Sequence, residues 1–166
     1  MDLRKVIILL FLLLGSTVGF CQTAQSLVDL GHKNYELGDY VEAIKYLNQA
    51  AELDKKDPEI FYLIGVCESQ SQNNEAAIRN YDIALALDPT YAEVYFEKGY
   101  SLFVMGKLEE AIEQYDQSIK LKADNAVAFV NRGSLKCILG DKDGAMKDWQ
   151  RAEELGASIP EQECDV

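Results

Sequence analysis

The chain has 166 residues, of which 48% are hydrophobic and 27% are charged, and its formal net charge at pH 7 is −12. Binding to nucleic acid depends on Lys and Arg side chains that neutralise phosphates, so this excess of acid argues against a nucleic-acid partner, and an anionic membrane surface is disfavoured for the same reason. The charge favours solubility and basic partners.

The segment 1–21 has the layout of a secretory signal peptide. A positively charged start precedes the apolar run Val6–Leu14, and small and polar residues follow as far as Cys21. The small residues Gly19 and Cys21 favour cleavage between Cys21 and Gln22. We therefore expect an exported protein, periplasmic or secreted, of bacterial origin.

Two other interpretations of this segment remain open, a lipoprotein acylated on Cys21 and an uncleaved membrane anchor. Bulky Phe20 stands where a lipoprotein signal would carry Gly or Ala. The apolar stretch from Val6 to Phe20 is shorter than the ~20 residues that a spanning helix needs. Contact with a membrane is expected only if the signal is retained or Cys21 is lipidated.

The rest of the chain is built from four similar units of nearly equal length, which span residues 24–57, 58–91, 92–125 and 126–157. The second halves of the units read GDYVEAIKYLNQAAEL, QNNEAAIRNYDIALAL, GKLEEAIEQYDQSIKL and GDKDGAMKDWQRAEEL. The first half of each unit carries a glycine at the same place, namely Gly31, Gly65, Gly99 and Gly133.

The spacing of apolar and small residues predicts a pair of helices in each unit. In the first unit, steps of three and four put Leu27 and Gly31 on one face of a first helix, and Ala43 and Leu47 on one face of a second. A pair this small cannot bury its apolar face alone, so neighbouring units must stack. We expect eight helices and no strand.

A period of 34 with these columns of glycine and alanine resembles the tetratricopeptide repeat (TPR) family. The resemblance implies an all-α fold, a right-handed α-solenoid of four stacked helix-turn-helix repeats, that acts as an adaptor for another protein. The alternative is a structural subunit of a cell-envelope assembly, held by its terminal repeats or by a lipid or membrane anchor. The chain departs from the family where a closing proline is usual, because only the second unit has one, Pro89.

The residues at one equivalent position of the four units predict where the array ends. The positions that face the next unit are Ala51, Leu85 and Ile119 in the first three units, whereas the fourth has Glu153. We expect that nothing stacks on the last helix, that its polar face acts as the cap, and that residues 158–166 form a short tail. The alternative is a dimer formed at this end through Met146.

Three cysteines lie beyond the signal, and their odd number excludes a fully paired set of disulfides. Cys67 and Cys137 are two units apart, roughly 20 Å at ~10 Å per repeat, which is too far for a disulfide. Both are predicted to be packing residues. Cys164, in the tail, could cross-link to another chain.

The first helices of a TPR array line its concave side, so the resemblance implies a partner-binding groove there. The candidate groove residues are Val28, His32, Tyr35, Tyr62, Val66, Phe96, Tyr100, Phe103 and Val130. Their aromatic rings would anchor a protein partner. The alternative is that rings tuck between helices; the sequence favours the groove for Tyr62 and Phe96 and decides neither way for Phe103.

Some members of the family hold a terminal carboxylate with Lys, Arg and Asn side chains on this face. The matching places here carry Val28, His32, Leu63, Glu93 and Glu97. A partner with an acidic tail is therefore disfavoured, and we expect a protein or peptide that is apolar or helical and flanked by basic residues.

No pattern in the sequence predicts an enzyme, a cofactor or a metal site. His32 is the only histidine and has no second ligand at metal-binding spacing. The glycines recur as packing residues rather than in a phosphate loop. Acidic residues such as Glu109, Glu110 and Glu113 follow helical spacing and predict a solvated face.

Overall fold

The computed structural model describes residues 22–159 and residue 164. This part of the chain contains eight α-helices and no strand, as the sequence predicted. They are α1 (Ala24–Glu36), α2 (Tyr40–Leu53), α3 (Pro58–Gln70), α4 (Asn74–Leu87), α5 (Ala92–Val104), α6 (Leu108–Leu121), α7 (Ala126–Ile138) and α8 (Lys142–Glu154). None of these helices is long and apolar enough to cross a membrane.

Polar side chains fix the beginnings of several helices. Thr23 accepts a hydrogen bond from the backbone N–H of Ser26, whose own hydroxyl accepts one from the Thr23 N–H, so the two residues form a capping box at the start of α1. Before α3, Asp57 accepts from the Glu59 N–H at 2.9 Å, and Pro58 occupies the first helical position, where a missing N–H costs nothing.

The turn between the two helices of each repeat needs one residue in the left-handed backbone conformation, with a positive φ. Gly38, Gly106 and Gly140 have φ values of 76°, 76° and 85°, which glycine adopts without a steric penalty. The equivalent residue of the second repeat is Gln72, with φ of 64°. All four repeats therefore make the same turn, although one of them lacks the glycine.

The four helical glycines occupy equivalent positions. A Cβ atom at Gly65 would overlap the ring of Tyr81, and one at Gly99 would lie 2.9 Å from the ring of Tyr115. The corresponding approaches are 2.7 Å to Leu47 for Gly31 and 2.7 Å to Trp149 for Gly133. In each repeat the partner residue stands at the same place in the second helix, so the four helix pairs pack in the same register.

The core runs along the array as a series of clusters between neighbouring helices. The alanines of the second helices, such as Ala43, Ala77 and Ala111, are fully buried, as are Ala84 and Ser118 in the second small-residue column. Each helix packs mainly against the helices before and after it in the sequence. This is the nearest-neighbour packing expected of a stacked repeat.

Ion pairs join the second repeat to the third and the third repeat to the fourth. Lys98 contacts Asp82 at 2.6 Å, and Arg132, at the same place in the next repeat, contacts Asp116 at 2.5 Å. Arg132 also donates from Nε to the buried Asp148 at 2.8 Å. Burial acts to lower the pKa of the Arg132 guanidinium, but its hydrogen bonds to the two aspartates outweigh burial and raise it.

The carboxyl-terminal end differs from the prediction in one respect. Cys137 forms a disulfide with Cys164, and their Cα atoms are 5.6 Å apart. The predictions that Cys137 is only a packing residue and that Cys164 could cross-link to another chain are therefore wrong, because Cys164 lies against the last repeat. Cys67 is free and buried in the first cluster, as expected of a packing residue.

The tail also takes part in covering the end of the array. Ile159 and Cys164 pack against a cluster formed by Cys137, Ala145 and Trp149. The cap is therefore the polar face of α8 together with part of the tail, whereas the sequence had predicted the helix alone.

Candidate partner-binding groove

The first helices α1, α3, α5 and α7 carry the predicted groove residues, and we call the surface they form the groove face. Two cavities open on it. The first, about 240 Å³, lies between α1 and α3, and the second, about 220 Å³, lies between α5 and α7. A large side chain of the intervening second helix closes the back of each, Leu47 in the first cavity and Tyr115 in the second.

The first cavity brings together four of the nine predicted groove residues. His32 and Tyr35 come from α1, and Tyr62 and Val66 come from α3. Cys67 also lines this cavity, and burial raises the pKa of its thiol to about 11, so the thiol is protonated and unreactive at neutral pH.

Tyr62 is partly buried and serves two roles. Its ring centroid lies 5.2 Å from that of Tyr91 and 6.5 Å from that of Tyr81, so it packs against the second cluster while it lines the cavity. Burial raises the pKa of its hydroxyl well above the usual range, and the charge of Glu97 adds to this. The hydroxyl is therefore a neutral hydrogen-bonding group throughout the physiological pH range.

The second cavity contains two more of the predicted residues, Tyr100 and Phe103. They are the most exposed aromatic rings of the groove face, 43% and 40% exposed, and their centroids are 6.5 Å apart. Tyr115 at the back of this cavity is 1% exposed. Two exposed rings above an apolar cavity are the kind of surface that anchors a protein partner.

The remaining three predicted residues lie elsewhere. Val28 is 6% exposed and belongs to the first core cluster, so it offers little surface to a partner. Phe96 is partly buried, with its ring 5.7 Å from that of Tyr115, and it packs into the third cluster. Val130, on α7, is partly buried and lines neither cavity.

Several residues that line the cavities lie outside the nine candidate groove residues, among them Leu63, Asn131, Leu135 and Ile138. Leu135 is buried and Ile138 is 54% exposed, so the cavity walls combine positions of the core pattern with positions of the surface pattern. Leu63 and Asn131 do share one register position, in the second and fourth repeats, and that position was the available signal.

Among the described residues, no group of three or more His, Cys, Asp or Glu is arranged to hold a metal ion. His32 lies exposed beside the first cavity and is surrounded by apolar and aromatic side chains. The chemistry that this face offers is therefore burial of apolar groups, ring contacts and hydrogen bonds from tyrosine hydroxyls.

The repeat unit identifies the family. A model of the TPR repeat matches residues 31–67, 69–106 and 99–136, which together make up more than half of the chain. The chain belongs to the tetratricopeptide repeat family. Its TPR array aligns with the crystal structure of MamA at a TM-score of 0.77 and 29% identity, over 80% of this chain and 77% of that one.

A second structural neighbour is the first TPR domain of Spaghetti (RPAP3) bound to the HSP90 peptide SRMEEVD. It aligns at a TM-score of 0.69 and 25% identity, over 71% of this chain and 96% of that chain. The TPR family and this peptide-bound neighbour support the prediction that the protein is a scaffold for protein–protein interaction.

The TPR array also resembles part of a glycosyltransferase. A UDP-N-acetylglucosamine–peptide N-acetylglucosaminyltransferase of Caenorhabditis elegans is 27% identical over 81 residues, which are 49% of this chain. The chain spans only 7% of the length of that enzyme, and the match lies in a TPR region. The similarity therefore reflects the repeat and carries no indication of catalysis.

Proposed function

We propose that this protein is an exported adaptor that binds a protein segment on its groove face, and that the segment is apolar or helical and carries basic residues. The observation that carries the proposal is the second cavity, where Tyr100 and Phe103 stand exposed above about 220 Å³ of space lined mostly by apolar and aromatic side chains, with Asn131 and Ser134 among them. Exposed rings beside an apolar cavity are costly to leave in water unless a partner covers them.

The sign of the charge supports a basic partner. The SRMEEVD peptide in the RPAP3 complex has more acidic than basic residues, and an acidic peptide would be repelled by a chain with a net charge of −12. Glu93 and Glu97 stand on α5, where a carboxylate-binding TPR groove would need cations. Glu93 is already paired with Lys122, so Glu97 is the carboxylate that would attract Lys or Arg.

The disulfide supports the export part of the proposal. Disulfides persist in oxidising compartments and are rare in a reducing cytosol. The pairing of Cys137 with Cys164 fits a protein that is carried out of the cytoplasm by residues 1–21. The mass of the mature amino terminus tests this part, because cleavage would leave Gln22 first, a lipoprotein would carry acyl chains on Cys21, and an anchor would retain Met1.

Selection from a displayed library of random peptides tests groove binding. Peptides enriched on the wild-type protein should lose most of their affinity, at least about tenfold, for the double variant Tyr100→Ala/Phe103→Ala, because exposed aromatic anchors carry a large share of interface energy. Phe96 is left intact since it packs into the core.

A matched control removes two exposed apolar side chains from second helices, in the variant Val41→Ala/Ile83→Ala. This variant should bind like the wild type. Equal binding by both double variants would reject the groove face as the binding site.

The second candidate function is that of a structural subunit of an envelope assembly. Exposed apolar surface at the end of the array favours it. Met146 on α8 is 64% exposed and lies beside Trp149 and Ile159 in an open cavity. Substitution of Met146 by Glu should prevent end-on assembly and leave peptide binding unchanged, so sedimentation of this variant separates the two functions.

A further inference from the structure

Glu97 lies on α5 at the same register position as Leu63, which lines the first cavity, and Asn131, which lines the second. Burial raises the pKa of Tyr62, which lines the first cavity, and of Tyr115, which lines the second, and the charge of Glu97 adds to the rise in both. The same charge acts on Tyr35 of α1. One partly buried carboxylate therefore acts electrostatically on rings that line both cavities.

This carboxylate has no hydrogen bond or ion pair with any residue that the structure describes. Lys98, the basic residue of α5, pairs with Asp82 of α4. The neighbouring helix α3 contains no Lys or Arg. On α7, Arg132 and Lys136 both pair with Asp148. Arg79 on α4 and Lys120 on α6, the two helices that pack on α5, form no ion pair with Glu97 either.

Stacking of the repeat does not require an acid at this position. The residues at the same register in the second and fourth repeats are Leu63 and Asn131, both uncharged. Asp29, the equivalent in the first repeat, is exposed and accepts a hydrogen bond from Gln25. A carboxylate withdrawn from water without a partner costs free energy, and burial raises its pKa accordingly. A cationic ligand would remove that cost.

We propose that Glu97 binds a lysine or arginine side chain of the partner, at the midpoint of a segment whose apolar side chains enter the two cavities. This inference rests on the proposed function and specifies the partner: its basic residue lies between the apolar anchors rather than only at the ends. Aromatic rings beside the carboxylate stabilise the same cation.

The repeat spacing sets the length of the partner segment. With packed helices ~10 Å apart, cavities two repeats apart are separated by roughly 20 Å. An extended chain advances ~3.3 Å per residue, so roughly six residues separate the two apolar side chains. The basic residue lies near the middle of this interval.

The test is parallel selection of random nine-residue peptides on the wild-type protein and on Glu97→Gln, which keeps the shape of the side chain and removes its charge. Peptides from the wild type should share a Lys or Arg at a fixed position between two apolar residues, and peptides from Glu97→Gln should lose this preference and keep the apolar residues. Replacement of the shared Lys or Arg by Gln in a selected peptide should weaken binding to the wild type at least about tenfold and leave binding to Glu97→Gln nearly unchanged.

Glu93→Gln is the matched control, because Glu93 lies one turn away on the same helix but is exposed and paired with Lys122 at 2.8 Å. It should select the same peptides as the wild type. The inference is overturned if wild type and Glu97→Gln enrich the same basic residue, or if neither enriches one while both bind apolar peptides. If no peptide is enriched over the Tyr100→Ala/Phe103→Ala variant, the groove function itself fails.

Discussion

Four glycines decide how closely the two helices of each repeat approach. At Gly65 an added Cβ would overlap the rigid ring of Tyr81, whereas at Gly31 it would lie 2.7 Å from Cγ of Leu47, a smaller aliphatic side chain that is also buried. Overpacking of a rigid neighbour costs about 1–3 kcal/mol. Alanine in a helix regains up to ~1 kcal/mol relative to glycine.

We therefore expect Gly65→Ala to lower the free energy of unfolding by about 1–2 kcal/mol and Gly31→Ala to change it by less than about 1 kcal/mol. Urea denaturation followed by circular dichroism measures both. A larger loss in Gly31→Ala than in Gly65→Ala would contradict the argument that ring rigidity sets the cost.

At the scale of the helix turn, Gln72 occupies the position at which the other three repeats have a glycine with positive φ. The sequence reveals this only when the repeats are compared. The φ of 64° at Gln72 costs a side-chain-bearing residue about 1–2 kcal/mol, which Gly38, Gly106 and Gly140 avoid. We expect Gln72→Gly to stabilise the protein by about 0.5–1 kcal/mol, since the greater freedom of glycine in the unfolded chain offsets part of the gain.

The reverse substitution in the third repeat, Gly106→Gln, serves as its mirror control and should destabilise by a similar amount. Nothing lies within 4 Å of a Cβ at Gly106, so the backbone conformation alone is tested. Thermal melting of both variants measures the effect, and a loss of stability in Gln72→Gly would show that the Gln72 side chain makes a contact worth more than the backbone penalty.

The disulfide connects the tail to α7 across 27 residues of sequence. A loop of this length, closed in the unfolded chain, corresponds to about 3.5 kcal/mol in the chain-entropy treatment. Reduction should therefore lower the free energy of unfolding by about 2–4 kcal/mol and change the fluorescence of Trp149, the single tryptophan, which packs in the same cluster as Cys137.

Denaturation with and without reductant measures this effect, and Cys164→Ser is the control that should not respond to reductant. Cys67 remains buried and free in both proteins. Equal stability of the oxidised and reduced wild type, with the bond verified by intact mass, would contradict the prediction.

At the scale of the whole molecule, the sequence predicted the architecture because every repeat has the same period and carries small residues at the same positions. The groove residues remain a prediction, and helical spacing gives the side of a helix but not whether a ring such as Phe96 turns toward Tyr115 or toward the surface. The disulfide could not be predicted, since Cys164 lies outside the repeats and no period relates it to Cys137.

The linear arrangement also predicts how the molecule opens. Because each helix packs mainly on its sequence neighbours, a defect in one repeat should spread only to the adjacent repeat. Trp149→Ala removes a large, nearly buried side chain from the last repeat and should cost about 3–5 kcal/mol locally. Hydrogen exchange measured by mass spectrometry should then show fast exchange in α7 and α8 and retained protection in α3 and α4.

Tyr81→Ala, in the second repeat, is the matched variant, and it should expose amides in α3 to α5 instead, because repeats stack on both sides of it. Uniformly faster exchange along all eight helices in both variants would mean that the array unfolds as a single unit, and the nearest-neighbour description would then fail.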